Sequence, residues 1–147
     1  MKKKLLAIFS IALLVILADQ IAKLIIKNSL ALNQSIPVIN NIFHITYILN
    51  FGAGFGILQQ QRLFLILISI TVIGVILYSI RKINEKETAL QIIAGMLLGG
   101  TIGNLTDRII YGNVIDFLDF RIWPIFNIAD SAVTIGFIFL IVYYWKK

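Results

Sequence analysis

The chain has 147 residues, of which 59% are hydrophobic and 14% charged, and its net charge at pH 7 is +6. This number of polar residues is too small to cover the surface of a soluble domain. The composition therefore predicts a membrane protein. The basic residues flank long apolar runs, as they do at the ends of membrane helices, and we therefore expect no nucleic-acid partner. The chain has no cysteine and one histidine, which excludes disulfides, thiolate nucleophiles and multi-histidine metal sites.

Four apolar segments are long enough to cross a bilayer core, which requires about 20 helical residues. They cover approximately residues 5–26, 63–80, 88–106 and 125–145. The first resembles a secretory signal, but no small-x-small cleavage motif follows it, so we expect an uncleaved signal anchor. The sequence predicts a single integral-membrane domain over residues 1–147. Its expected class is membrane all-α, with four transmembrane helices and a small extracytoplasmic β element.

Lysine and arginine are unevenly distributed between the two sides of these helices. The N-terminus, the 81–87 loop and the C-terminus together hold eight of them, whereas residues 27–62 and 109–124 hold three. The side richer in lysine and arginine is usually cytoplasmic. We therefore expect both termini in the cytoplasm, with the 28–61 and 109–124 segments outside.

The two outer segments differ from ordinary loops. Ile42–Leu49 alternates with period two and is rich in β-branched and aromatic residues, which predicts a strand. His44, within it, is expected to be an ordinary strand or surface residue. The glycine-rich run that follows suggests a mobile flap over residues 51–58. The 109–124 segment is expected to be a short or re-entrant piece at the membrane interface.

The polar side chains in or beside the helices converge near the outer face. They are Asp19, Gln20, Lys23, Asn50, Asn104, Asp107, Arg108, Asp116, Asp119, Asn127 and Asp130. An ionised aspartate at a helix centre costs about 2.5–3.5 kcal/mol, so an intramembrane acid indicates function. A transporter or channel would spread polar groups through both halves of the bilayer, which disfavours that class. A non-enzymatic membrane chaperone is a further alternative, for which the acids would be dispensable.

Spacing along the helices suggests which polar groups meet. Asp19 and Lys23 are four residues apart and can pair, either as a structural ion pair or as a substrate contact. Asn127 and Asp130 are three apart and share a face, and Asn127 can cap its helix. With the helix starting near residue 125, Asp130 lies about one and a half turns inside it, too deep to act as a cap.

The third helix carries a stripe of small residues that favours close helix packing, formed by Gly95, Gly99 and Gly103. Gly100, Asn104 and Arg108 form the adjacent stripe. Arg108 can pair with Asp107 at the interface, or it can donate to a substrate carbonyl or a lipid phosphate.

Without cysteine or a usable histidine, carboxylates are the best available catalytic groups. Two acids held close together share about one proton. The ionised acid can then accept a proton from water, while the protonated acid polarises a carbonyl and protonates the leaving amine. The residues alone do not select the pair, because Asp107 and Asp119 compete with Asp116 and Asp130. An acid cluster could also bind a cation.

Five short motifs, in order along essentially the whole chain, resemble lipoprotein signal peptidase, also called signal peptidase II. They are Asp19-Gln20-x-x-Lys23, Asn50-Phe51-Gly52-Ala53-Gly54-Phe55, Gly99-Gly100-x-x-Gly103-Asn104-x-x-Asp107-Arg108, Val114-Ile115-Asp116-Phe117 and Phe126-Asn127-x-Ala129-Asp130-Ser131. Each motif is weak alone, and the ordered set is specific. The Gly-x-Gly-Asp signature of presenilin-type and prepilin-type proteases is absent, which disfavours those relatives.

The resemblance implies an aspartic endopeptidase whose catalytic pair is Asp116 and Asp130, with no cofactor and no metal. It also implies a set of residues that support the pair or bind substrate: Asn50, Gly52, Asn104, Arg108, Asn127, Asp19 and Lys23. One departure is Gly54, where the family usually has alanine; it loosens the loop and removes no polar group.

The resemblance further implies the substrate and the location. The family removes the signal peptide from diacylglyceryl-modified bacterial prolipoproteins, cutting just before the lipidated cysteine, and is inhibited by the cyclic peptide globomycin. We therefore expect a multi-pass protein of the bacterial cytoplasmic membrane, with its active site at the extracytoplasmic face. Its expected partners are this substrate and membrane lipid, and we expect a monomer.

Overall fold

The computed structural model describes residues 2–54 and 57–146. Its helices are α1 (Lys2–Ser29), α2 (Arg62–Ile80), α3 (Thr88–Ile110) and α4 (Ile128–Trp145). All four are long and apolar enough to cross a membrane, which confirms the predicted four-helix membrane fold. Most of their large apolar side chains are exposed, as a bilayer environment requires.

Two helix ends differ from the sequence prediction in ways that matter for the site. α3 continues past residue 106 to Ile110, because Asp107 finds buried partners inside the bundle. α4 begins at Ile128 instead of residue 125, because Phe126 pairs with Leu118 and Asn127 is extended. Asp130 therefore lies in the first turn of α4, and the prediction that it lies one and a half turns inside was wrong.

Helix α3 lies at the centre of the bundle and packs against the other three helices. The predicted glycine stripe makes this close approach possible. A Cβ atom added at Gly99, within the stripe, would lie 2.6 Å from the Ala12 carbonyl oxygen of α1. One added at Gly100, on the adjacent stripe, would lie 2.5 Å from the Ala129 carbonyl oxygen of α4. The packing interpretation of the stripe is confirmed, because no side chain fits at these contacts.

An antiparallel three-stranded sheet in the order β1–β2–β3 covers one end of the bundle, which we call the sheet end. The strands are β1 (Ser35–Ile39), β2 (Phe43–Asn50) and β3 (Val114–Asp119). The strand predicted over residues 42–49 is confirmed as β2 within one residue. β1 was not predicted; it contains Pro37, which an edge strand tolerates because its outer N–H groups need no partner.

Strand β3 forms where a short or re-entrant piece was expected. It pairs with β2, so that Asp116 lies opposite Ile48 and Val114 lies opposite Asn50. Nearly all of β3 is buried, so it carries apolar residues on both faces, with one aspartate on each, and lacks the alternation that reveals a strand. A cluster formed by Leu30, Tyr47 and Ile115 attaches the sheet to the end of α1.

At the opposite end of the bundle, Lys4 is more than a flanking charge. Its Nζ donates to the carbonyl oxygens of Ile80 and Ile83, at 3.0 and 2.8 Å. These carbonyl groups belong to the end of α2 and the turn after it, where helical partners run out. Lys4 is buried and thereby ties the start of α1 to the α2–α3 connection.

Candidate active site

Asp116 and Asp130 meet at a cavity of about 820 Å³ at the sheet end. β3 presents Asp116 and the first turn of α4 presents Asp130. Asn50 and Arg108 also line the cavity. The remaining lining is mainly apolar and includes Leu118, Phe120, Trp123, Ile125, Phe126 and Val133. The cavity thus combines a few converging polar groups with an apolar wall, as ligand sites commonly do.

Asp116 is a buried carboxyl group with two side-chain donors. It is 1% exposed. Asn50 donates to its Oδ2 at 2.9 Å, and Asn127 donates to its Oδ1 at 2.7 Å. Burial and the nearby charge of Asp130 raise the pKa of Asp116 to about 7, against the opposing effect of both amide donors and the charge of Lys23. Asp116 can therefore hold or release a proton near neutral pH.

Asp130 forms hydrogen bonds with two asparagines, one through its side chain and one through its backbone. Asn104 donates to its Oδ1 at 2.7 Å, and its own backbone N–H donates to Oδ1 of Asn127 at 2.8 Å. The second bond is an N-cap, so the predicted capping role of Asn127 is confirmed. Since Asn127 also bonds Asp116, one fully buried amide connects the strand acid to the helix acid.

Beneath the cavity lies a buried ionic cluster centred on Lys23. Its Nζ contacts Asp19 at 2.6 Å, Asp107 at 2.8 Å and the Oδ1 of Asn104 at 3.0 Å. Asp19 also accepts the backbone N–H of Ala129 at 2.9 Å. The predicted pairing of Asp19 with Lys23 is therefore present. Neither Asp19 nor Lys23 lines the cavity, so both contact other protein groups and not the cavity itself.

This cluster also explains Asp107, which sequence reasoning could not separate from the catalytic candidates. Asp107 is fully buried and accepts from Lys23, from Gln20 at 2.9 Å and from the backbone N–H of Ile115 at 3.3 Å. It thereby connects α1 and α3 to the residue before Asp116. The contribution of Gln20 and Asp107 to the site was missed, because their spacing along the chain does not reveal whether they face the cavity.

Arg108 reaches the loop that follows β2. Its Nη2 donates to the carbonyl oxygen of Gly52 at 3.2 Å, and the Gly52 N–H donates to Oδ1 of Asn50 at 2.9 Å. A Cβ atom at Gly52 would lie 2.6 Å from the Ile57 carbonyl oxygen, so the turn requires glycine. Phe55 and Gly56, in the middle of the proposed 51–58 flap, lie outside the described residues.

Asp119 and His44 belong to a separate polar group on the sheet. Asp119 accepts from Thr46 at 2.8 Å and forms an ion pair with Arg121 at 2.9 Å. Burial acts to raise the pKa of Asp119, but the Thr46 and Arg121 interactions outweigh it, and the pKa lies below its usual value. His44 contacts the Ser35 hydroxyl at 3.1 Å. Neither Asp119 nor His44 lines the cavity.

Within residues 2–54 and 57–146, no group of three or more His, Cys, Asp or Glu side chains is placed to hold a metal ion. The acids of the ionic cluster already surround the ammonium group of Lys23.

The fold and the cavity define a multi-pass membrane protein with an acid-lined site at one end of its helices. The family model for signal peptidase (SPase) II matches residues 11–146. The chain is 44% identical to lipoprotein signal peptidase of Halothermothrix orenii, over 95% of this chain and 96% of that protein. It is 40% identical to lipoprotein signal peptidase of Pelotomaculum thermopropionicum, over 88% and 85% of the two chains.

Solved structures agree with the sequence comparison. One bacterial membrane enzyme, determined by the in meso method, superposes with a TM-score of 0.90 at 35% identity, covering 99% of this chain and 89% of that one. A second superposes with a TM-score of 0.87 at 34% identity, covering 100% and 95%. The chain belongs to the signal peptidase II family. It is a bacterial multi-pass membrane protease that removes signal peptides from prolipoproteins.

Proposed function

We propose that the chain is an aspartic endopeptidase in which Asp116 and Asp130 form the catalytic pair. The observation that carries this proposal is that these two carboxyl groups line one cavity and interact through their charges. The other candidate acids are accounted for elsewhere: Asp19 and Asp107 hold Lys23, and Asp119 holds Arg121.

In the proposed reaction the pair holds about one proton at neutral pH, which the pKa of about 7 at Asp116 supports. The ionised carboxylate takes a proton from water, and the resulting nucleophile attacks the scissile carbonyl carbon. The protonated carboxyl group donates a hydrogen bond to the carbonyl oxygen. Collapse of the tetrahedral intermediate breaks the C–N bond, and a proton passes to the leaving amine. No covalent enzyme intermediate forms.

Two of the supporting residues line the cavity, and two lie behind the carboxyl groups. Asn50 and Arg108 line the cavity, where Arg108 can donate to a substrate carbonyl and Asn50 orients Asp116. Asn104 and Asn127 lie behind the carboxyl groups and fix their rotamers. Such fixed hydrogen bonds preorganise the pair for the charge that develops in the transition state.

The surroundings of the cavity support a proposal for the cleavage position and for the membrane face on which the cavity lies. We propose that the chain cuts just before a diacylglyceryl-modified cysteine, with the acyl chains against the apolar wall near Phe120 and Phe126. The excess of lysine and arginine at the opposite end supports placing the sheet end and the cavity at the extracytoplasmic face.

The catalytic pair is tested with Asp116→Asn and Asp130→Asn, expressed separately in a bacterial host that lacks its own enzyme. Each variant should leave lipid-modified prolipoprotein uncut, and in purified form each should lower kcat by at least about 1,000-fold, since neither proton role can be replaced. Immunoblotting with an epitope-tagged prolipoprotein separates the cut from the uncut form.

Asp119→Asn is the matched control, because it changes an acid of the same strand that lies outside the cavity. It should process the substrate at nearly the wild-type rate. Normal processing by either Asp116→Asn or Asp130→Asn would show that the pair is wrongly assigned.

A further inference from the structure

Arg62 lies at a junction that the proposed chemistry does not use. It is the first residue of α2 and directly follows the loop after β2. Although its side chain is exposed, its Nε donates to the Arg108 carbonyl oxygen at 2.8 Å and its Nη2 donates to the Ile109 carbonyl oxygen at 2.9 Å. These are among the last carbonyl groups of α3, which have no helical partner of their own.

The same guanidinium group also lies against the turn from α3 into β3. Gly112 adopts a positive φ of 80°, and a Cβ atom added there would lie 3.4 Å from Nη1 of Arg62. This turn leads within four residues to Asp116. The planar fork of arginine presents separate N–H donors in a fixed geometry that suits two neighbouring carbonyl groups.

Arg62 therefore connects three parts of the site. Its backbone ends the loop that contains Gly52. Its side chain holds the backbone of Arg108, whose own side chain binds the Gly52 carbonyl and lines the cavity. It also borders the turn that leads to Asp116.

We propose that Arg62 is a positioning residue for the peptidase reaction, because it fixes the end of α3 and thereby holds Arg108 against the catalytic cavity. Arg62 does not line the cavity. The roles of Arg108 and of the two acids in this inference rest on the proposed function. The assay needs only the signal peptidase activity itself.

The test compares Arg62→Met, Arg62→Lys and Gln61→Ala in the full chain, purified in detergent and assayed on a lipid-modified prolipoprotein peptide. Arg62→Met should lower kcat/KM about 10- to 100-fold, since small displacements of catalytic groups cost this much. Arg62→Lys should recover part of the loss, because a lysine Nζ can serve two carbonyl groups, as Lys4 does at the end of α2. Gln61→Ala changes the exposed neighbour and should match wild type.

The pH profile distinguishes positioning from a general loss of folded protein. The charge of Arg108 interacts with both Asp130 and Asp116. If Arg108 moves away, the pKa of Asp116 rises, and the pH optimum of kcat/KM should shift upward in Arg62→Met and return toward wild type in Arg62→Lys. A general loss of folded protein lowers the rate at every pH and leaves the optimum in place.

Two results would overturn the proposal. One is unchanged kcat/KM in Arg62→Met. The other is a lower kcat/KM with an unchanged pH optimum, whether or not the melting temperature falls with it. The proposed function fails separately, when Asp116→Asn or Asp130→Asn cleaves normally, and that result does not depend on Arg62.

Discussion

The side-chain amide of Asn127 donates to Oδ1 of Asp116 over 2.7 Å, although the two residues belong to different elements. Its oxygen meanwhile caps α4 by accepting the backbone N–H of Asp130. A single buried amide therefore sets the start of a helix and the orientation of the proposed catalytic acid on the strand.

These two tasks of Asn127 can be separated by substitution. Asn127→Ser retains an N-cap oxygen and loses the amide donor, whereas Asn127→Ala loses both. We expect both variants to lower kcat about 10- to 100-fold, as the loss of a hydrogen bond to a charged group predicts. Only Asn127→Ala should also lose the N-cap, which should lower the free energy of unfolding by about 1 kcal/mol. Steady-state kinetics and thermal unfolding in detergent measure the two effects; wild-type kcat in Asn127→Ser would contradict the positioning role.

The raised pKa of Asp116 predicts the direction of the pH dependence. Its proton is present below a pKa of about 7 and is lost above it. If the pair must hold one proton, kcat/KM should fall as the pH rises past about 7, by roughly tenfold per pH unit on the alkaline side. Initial rates between about pH 5 and 9 measure this limb.

The Asp119→Asn variant provides the control for that profile. The pKa of Asp119 is lowered, so this group is ionised throughout the same range. Its removal should leave the alkaline limb where it is. A limb that moves in Asp119→Asn, or activity that stays constant to pH 9, would assign the titration to another group.

Lys23 is predicted to be essential for stability rather than only for rate. Lys23→Met leaves Asp19 and Asp107 buried without their cation. Removing one partner of a buried ion pair typically costs about 3–5 kcal/mol. Lys27→Met, one turn further along α1, changes an exposed lysine that lies 4.3 Å from the Tyr111 ring, and should cost less than about 1 kcal/mol. Equal melting temperatures for the two variants would argue against the ionic cluster.

The close packing of α3 can be tested with one added methyl group. At Gly100 the new Cβ atom would lie 2.5 Å from the Ala129 carbonyl oxygen, just before Asp130, and Gly100→Ala should destabilise by about 1–3 kcal/mol and reduce activity. At Gly74 in α2 nothing lies within 4 Å. Gly74→Ala should therefore be neutral or stabilise by up to about 1 kcal/mol. Thermal unfolding compares the pair, and a greater loss in Gly74→Ala would contradict the packing assignment.

The helices were predictable from the sequence because a bilayer imposes both length and apolar composition on them. β2 was predictable because its pattern alternates. β1 and β3 were not, since Pro37 interrupts one and the burial of both faces removes the alternation from the other. The start of α4 was misplaced because Ile125 and Phe126 are as apolar as the helix, whereas Phe126 in fact pairs with β3.

The site shows a similar division. The convergence of polar residues at one end followed from placing each residue on its helix. The choice among the acids did not, because Asp107 and Asp116 are both buried and differ only in what surrounds them. Asp107 faces Lys23 and Gln20, whereas Asp116 faces the cavity. The residues around Asp107 come from α1, and Asn50 beside Asp116 comes from β2. The spacing within a single motif cannot reveal such contacts between distant elements.

The pairing of β3 with β2 also affects the order in which the molecule can be completed during synthesis. Asn50 and Asp116 bond across 66 residues of sequence, with two membrane helices between them. Asp130 arrives later still, on the final helix. The nascent chain therefore cannot assemble the proposed catalytic pair until α4 has been inserted, so we expect proteolytic activity to begin only after α4 has joined the bundle in the bilayer.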